Sequence, residues 1–160
     1  MPRAKKIRLQ NGVSYVVFDD VNKAYRLFKE NLSRRQGLCI TRAPPERIKE
    51  DQALENVKFY WLTHIKVEEA IRPTDLHILF PNILEILHAG PTIVIIDGID
   101  YLIVHNGFSE VLKFIQSLKD HVYMNGAILI VPIFTDAHSR MEITLMQREL
   151  IPVEDLETAA

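Results

Sequence analysis

The chain has 160 residues, 48% hydrophobic and 25% charged, enough for one globular domain burying about 70% of its unfolded surface and too apolar for intrinsic disorder. No apolar run nears the roughly 18 residues of a membrane span, the first residues lack the apolar core of a secretory signal, and a single Cys39 excludes an internal disulfide or a cysteine zinc cage. The net charge of −2 hides a split: residues 1–49 hold 12 of the 19 Lys and Arg but four of the 21 Asp and Glu, a net of +8 that leaves −10 for residues 50–160 and points to polyanion contact by the basic part.

Residues 7–10 and 13–18 are β-prone runs on either side of Asn11-Gly12, the dipeptide suited to a type I′ turn, so an N-terminal β-hairpin is expected. Asp19 or Asp20 caps a helix over residues 21–35, with Val21, Ala24, Tyr25, Leu27, Phe28 and Leu32 as its apolar stripe. Gly37 ends that helix, and residues 38–41 form a buried strand containing Cys39. Pro44-Pro45-Glu46 opens a short helix, because proline in the first turn loses no hydrogen bond. A strand follows over 57–62, and 63–73 reads as a loop. Thr74 caps a helix to about Ala89, kinked or divided at Pro81. Residues 92–97 are the clearest buried strand. A helical turn over 101–105, a helix over 108–123 and a buried strand over 127–132 come next. Thr135 or Asp136 caps a last helix to about Leu150, and 151–160 is an acidic end.

Strands alternating with helices imply right-handed crossovers and an α/β domain: a mainly parallel sheet with helices on both faces, plus the N-terminal hairpin. The expected division is a basic arm and hairpin at 1–18, one α/β domain at 19–150 and an acidic tail at 151–160.

Ligands of open α/β sheets usually bind beyond the carboxyl ends of the strands. The apolar run ending at Asp97 has the form of a magnesium-binding Walker B strand. No phosphate loop accompanies it, and Thr41-Arg42-Ala43-Pro44-Pro45 stands after the first core strand, with two N–H donors removed by proline. Asp97 is therefore expected to fix a loop or cap a helix. His64, His77, His88, His105, His121 and His138 show no metal-ligand spacing, and Cys39 sits in a buried-strand pattern. No catalytic residue, metal or cofactor is expected.

Residues 37–42 with Pro44-Pro45-Glu46, then Trp61-Leu62-Thr63, then Asp97-Gly98-Ile99-Asp100-Tyr101-Leu102, then His105-Asn106-Gly107-Phe108 together resemble the archaeal family called domain of unknown function 835. The resemblance covers about residues 36–150. It implies a fold like that of RecA and KaiC ATPases without the Walker A phosphate loop, and it carries over no catalytic residue. On that span the hairpin and first helix are an addition.

Arg3, Lys5, Lys6 and Arg8 place four cations in eight residues without an acid, an arm suited to lying along phosphates. Arg34, Arg35, Arg42 and Arg47 flank one core strand and are expected to extend that patch. With no base-reading motif, the expected function is a non-catalytic, cytoplasmic binding or regulatory protein whose basic third contacts RNA or a ribonucleoprotein, a ribosomal subunit first among candidates. A homodimer through the hairpin's free edge is expected, and no membrane contact. The alternatives are a protein-interaction module in signalling or beside a RecA-like ATPase, and a nucleotide sensor using Asp97.

Overall fold

A computed structural model describes residues 7–158. In chain order it contains β1 (Val13–Phe18), α1 (Val21–Glu30), β2 (Gln36–Thr41), α2 (Pro45–Gln52), β3 (Val57–Leu62), β4 (Ala70–Ile71) and α3 (Leu76–Ala89). It continues with β5 (Thr92–Asp97), α4 (Ile99–Asn106), α5 (Phe108–Met124), β6 (Ile128–Ile133), a 3₁₀ turn at Thr135–Ala137, α6 (Arg140–Glu149), β7 (Ile151–Pro152) and α7 (Val153–Thr158). The seven strands form one sheet in the order β4-β3-β2-β5-β6-β1-β7. Every pairing in it is parallel.

The near-continuous apolar runs of β2, β5 and β6 are explained by burial on both faces. Tyr15, Val17, Cys39, Ile93 and Ile95 pack toward α1, α2 and α7. Val16, Leu38, Ile40, Val94 and Ile96 pack toward α3, α4, α5 and α6. Among the described residues no helix is long and apolar enough to cross a membrane.

The N-terminal hairpin is not formed. Asn11-Gly12 does turn, with Gly12 at φ +83°, but the Gly12 N–H donates to Ala127 O at 2.6 Å, which starts β1 along β6 in parallel, Val13 opposite Ile128. Residues 7–10 are tied to the end of α1 instead: Leu9 N donates to Asn31 Oδ1 at 3.1 Å, and Asn31 Nδ2 donates to Ile7 O at 3.2 Å. The hairpin whose free edge is expected to mediate self-association is therefore absent, and on its outer side β1 pairs with β7 at Tyr15 and Val16.

Other boundaries move for local reasons. Asp20, accepting from Lys23 N at 3.0 Å, caps α1, which ends at Glu30 rather than residue 35. Gly37 lies within β2, where an added Cβ would stand 2.7 Å from Leu32 Cδ2. α3 runs unbroken through the exposed Pro81, because Leu79, Ile83 and Leu87 anchor it on the sheet. Ser139, not Thr135 or Asp136, caps α6 in a reciprocal arrangement with Glu142. The acidic tail is a correction too: residues 151–158 are the edge strand β7 and the helix α7. There Val153 is buried, Glu154 Oε1 accepts from Phe18 N at 3.1 Å, and Glu157 pairs with Lys23.

Candidate functional site

β2 leads through α2 to β3 on one side, while its other neighbour, β5, leads to α4 on the opposite face of the sheet. The carboxyl ends of β2 and β5, with Thr41 opposite Asp97, thus form the crevice where open α/β sheets receive ligands.

Asp97 at its floor accepts a 2.8 Å hydrogen bond through Oδ2 from Tyr25 of α1, whose hydroxyl also lies 3.7 Å from Cys39 Sγ. Burial pushes the Asp97 carboxyl above its ordinary range; the Tyr25 bond pulls it back, and Asp100 pushes it up again. Burial, reinforced by the thiol and the carboxylate, raises the Tyr25 phenol far enough to keep it a hydrogen-bond donor. Burial likewise pushes the Cys39 thiol up to about 12, so it is not a thiolate nucleophile at neutral pH.

Asp100, at the start of α4, is hydrogen-bonded to His138 Nε2, and Glu142 Oε1 lies 3.9 Å from His138 Nδ1. Asp19 accepts from Thr135 N at 2.9 Å and Thr135 Oγ1 at 2.8 Å. The Arg42 guanidinium stands 4.3 Å over the Tyr101 ring, and Trp61 Nε1 donates to Arg42 O at 3.1 Å. Asp19, Asp97 and Asp100 are thus each used to tie neighbouring elements together. Among the described residues no three His, Cys, Asp or Glu side chains lie close enough to hold a metal.

The basic residues separate into two groups. Arg34 and Arg35 lie before β2, at the amino end of the sheet, and share that end with Arg8. Arg42 and Arg47 lie beyond β2, at the carboxyl end. Seven residues of extended chain at ~3.3 Å each put Arg35 and Arg42 about 23 Å apart, so the single patch expected around the core strand is two. Arg3, Lys5 and Lys6 lie outside the described residues.

At the amino end Arg35 is fixed by two donated hydrogen bonds, Nη1 to Asn31 O at 2.8 Å and Nη2 to Asn11 Oδ1 at 2.7 Å. It forms the wall between two hollows. One, of about 620 Å3, is lined by Asn11, Ser33, Arg34, His88 and Asn125 among others. The other, of about 410 Å3, is lined by Arg8, Glu30, Asn31 and Ser33. Sequence reasoning identified the arginines but missed the polar hollows between them, and it read Tyr25 as one more apolar stripe residue. A hydroxyl in an otherwise apolar stripe was the available signal.

The family described as Protein of unknown function (DUF835) matches residues 17–150. The match includes α1, so the first helix and Arg34 and Arg35 are part of the family domain rather than an addition to it. No curated protein matches the chain. A solved Pyrococcus horikoshii OT3 protein, the subject of structural-study project PH0250, is similar in fold with a TM-score of 0.60 at 16% identity, over 91% of this chain and 81% of that one.

Proposed function

The chain belongs to the DUF835 family, and we propose that this member is a non-catalytic binding protein that holds RNA or a ribonucleoprotein, such as a ribosomal subunit, through phosphate contacts at the amino end of its sheet. The observation that carries the reading is Arg35 held rigid between two polar hollows, with Arg34 and Arg8 exposed beside it. A pre-ordered guanidinium loses little freedom when it meets a phosphate. Arg3, Lys5 and Lys6 add cations immediately before Arg8 in the sequence. Asn11, Ser33 and Asn125 offer groups for 2′-hydroxyls, in keeping with recognition by backbone and shape. The acidic remainder of the chain favours an orientation with this end toward the RNA.

A nucleotide-sensing role for Asp97 has less support, because Tyr25 already uses the carboxylate and Pro44 and Pro45 remove donors from the neighbouring loop.

Co-sedimentation of the full chain with purified ribosomal subunits and with protein-free ribosomal RNA tests the reading. Binding that falls steeply with salt is expected. Absence of binding at low salt to both would remove the proposal, and binding to ribosomal proteins freed of RNA would favour a protein-interaction module.

A further inference from the structure

The outer edge of β1 is covered for part of its length. β7 begins at Ile151 opposite Tyr15, so Val13 and Ser14 extend past its start with no strand beside them on that side. Over this uncovered stretch, between the end of α5 and the end of α6, lies a cavity of about 450 Å3. That volume is within the roughly 300–1,000 Å3 of small-molecule sites. Ser14, Lys119, Tyr123, Met124, Leu150 and Ile151 contribute to its lining.

Ser14 shares a face of β1 with Val16, because side chains alternate along a strand, and Val16 packs toward the α3–α6 layer. The serine is 5% exposed, and its Oγ has no hydrogen-bond partner. A buried hydroxyl left unpaired costs stability, and Ser14 is among the residues that line the hollow, beside the apolar side chains of Tyr123, Met124, Leu150 and Ile151. Tyr123 is 72% and Met124 77% exposed, so both offer apolar surface to a ligand at the mouth of the hollow.

Charge decides the class of ligand. Lys119 is paired with Glu149 at 3.4 Å, and the remaining charged residues of the lining, Asp120 and Arg148, are of opposite sign. A charged ligand gains nothing from such a rim. We propose that this cavity binds a small uncharged molecule carrying one hydroxyl, carbonyl or amide group, with that group hydrogen-bonded to Ser14 Oγ and its apolar body against Met124, Tyr123 and Ile151. The site is independent of the RNA reading and uses none of its arginines.

Acetanilide and benzyl alcohol are suitable probes, titrated into the full chain while backbone amide resonances are followed by NMR. Saturating shifts at Ser14, Tyr123, Met124 and Ile151 are expected. Ser14→Ala should weaken binding about fivefold, the value of one hydrogen bond, while its thermal midpoint stays level or rises because the hydroxyl has no protein partner to lose. Tyr123→Ala, a change at an exposed site, should also weaken binding without altering the fold. Equal affinity in Ser14→Ala, or no saturating shift in the unaltered chain, would overturn the proposal. Shifts at these residues that follow protein rather than probe concentration would also overturn it, assigning the surface to a second copy of the chain.

Discussion

The Tyr25 hydroxyl and the Asp97 carboxylate, 72 residues apart in sequence, meet at 2.8 Å and tie α1 to the carboxyl end of β5. The bond crosses from the helical layer to a central strand, at the carboxyl end of the sheet where open α/β folds receive their ligands.

Removing the phenol should therefore weaken the fold. Tyr25→Phe leaves a half-buried carboxylate without its donor, and a loss of ~1.5–3 kcal/mol near pH 7 is expected for a hydrogen bond to a charged group. Urea denaturation measures it; an unchanged midpoint would contradict the role assigned to the bond.

Asp97 also sets a pH dependence. Its folded-state pKa is raised by burial, so the native chain keeps this proton to higher pH than the unfolded chain, whose carboxyl titrates near 3.9. The group's contribution is thus fully present below that value and is lost as pH rises through the folded pKa. Asp97→Asn, whose amide oxygen can still accept from Tyr25, should flatten the fall in stability with rising pH that the raised carboxyl produces. Tyr25→Phe should steepen it, because the bond that lowers the pKa is gone. Denaturation midpoints measured from pH 4 to 8 distinguish these outcomes from a profile unmoved by either variant.

Residues 151–158 are expected to be structural despite their charge. Val153 is fully buried, which alone is worth ~1.5–3 kcal/mol, and Glu154 and Glu157 bind β1 and α1. A chain ending at Leu150 should unfold at clearly lower urea than the full chain; an equal midpoint would restore the reading of a dispensable tail.

Gly37 is constrained by close approach rather than by backbone conformation. An added methyl would meet Leu32 Cδ2 at 2.7 Å, Val57 Cγ2 at 3.1 Å and Phe28 Cζ at 3.2 Å, so Gly37→Ala is expected to cost ~1–3 kcal/mol as an overpacking change. Thermal denaturation against Gly107→Ala, which has open space but a positive φ of +84°, separates crowding from backbone strain.

Much of this architecture is legible in the residues. β5 and β6 announce themselves as unbroken apolar runs because parallel strands buried on both faces have no polar alternation to show. The failures share one cause, a distant partner overriding a local signal. Asn11-Gly12 favours a hairpin locally, yet Ala127, more than a hundred residues away, takes the Gly12 N–H. Glu154, Asp155 and Glu157 give residues 151–160 the look of a solvated tail, while Val153 is buried in the core and Leu156 packs against it. The Asp100–His138 pair, 38 residues apart, has no spacing to betray it. Arg34, Arg35, Arg42 and Arg47 appear as one cluster along the chain, but β2 runs between the two pairs and carries them to opposite ends of the sheet.

That separation supplies the most direct measurement, the salt dependence of RNA binding by the full chain and two double variants. Arg8→Ala with Arg34→Ala should weaken binding and make the slope of log affinity against log salt shallower by about one for each phosphate no longer neutralised. Arg42→Ala with Arg47→Ala, at the other end of the sheet, should leave both affinity and slope unchanged. Equal effects from the two pairs, or an effect from the carboxyl-end pair alone, would contradict the placement of the RNA face at the amino end.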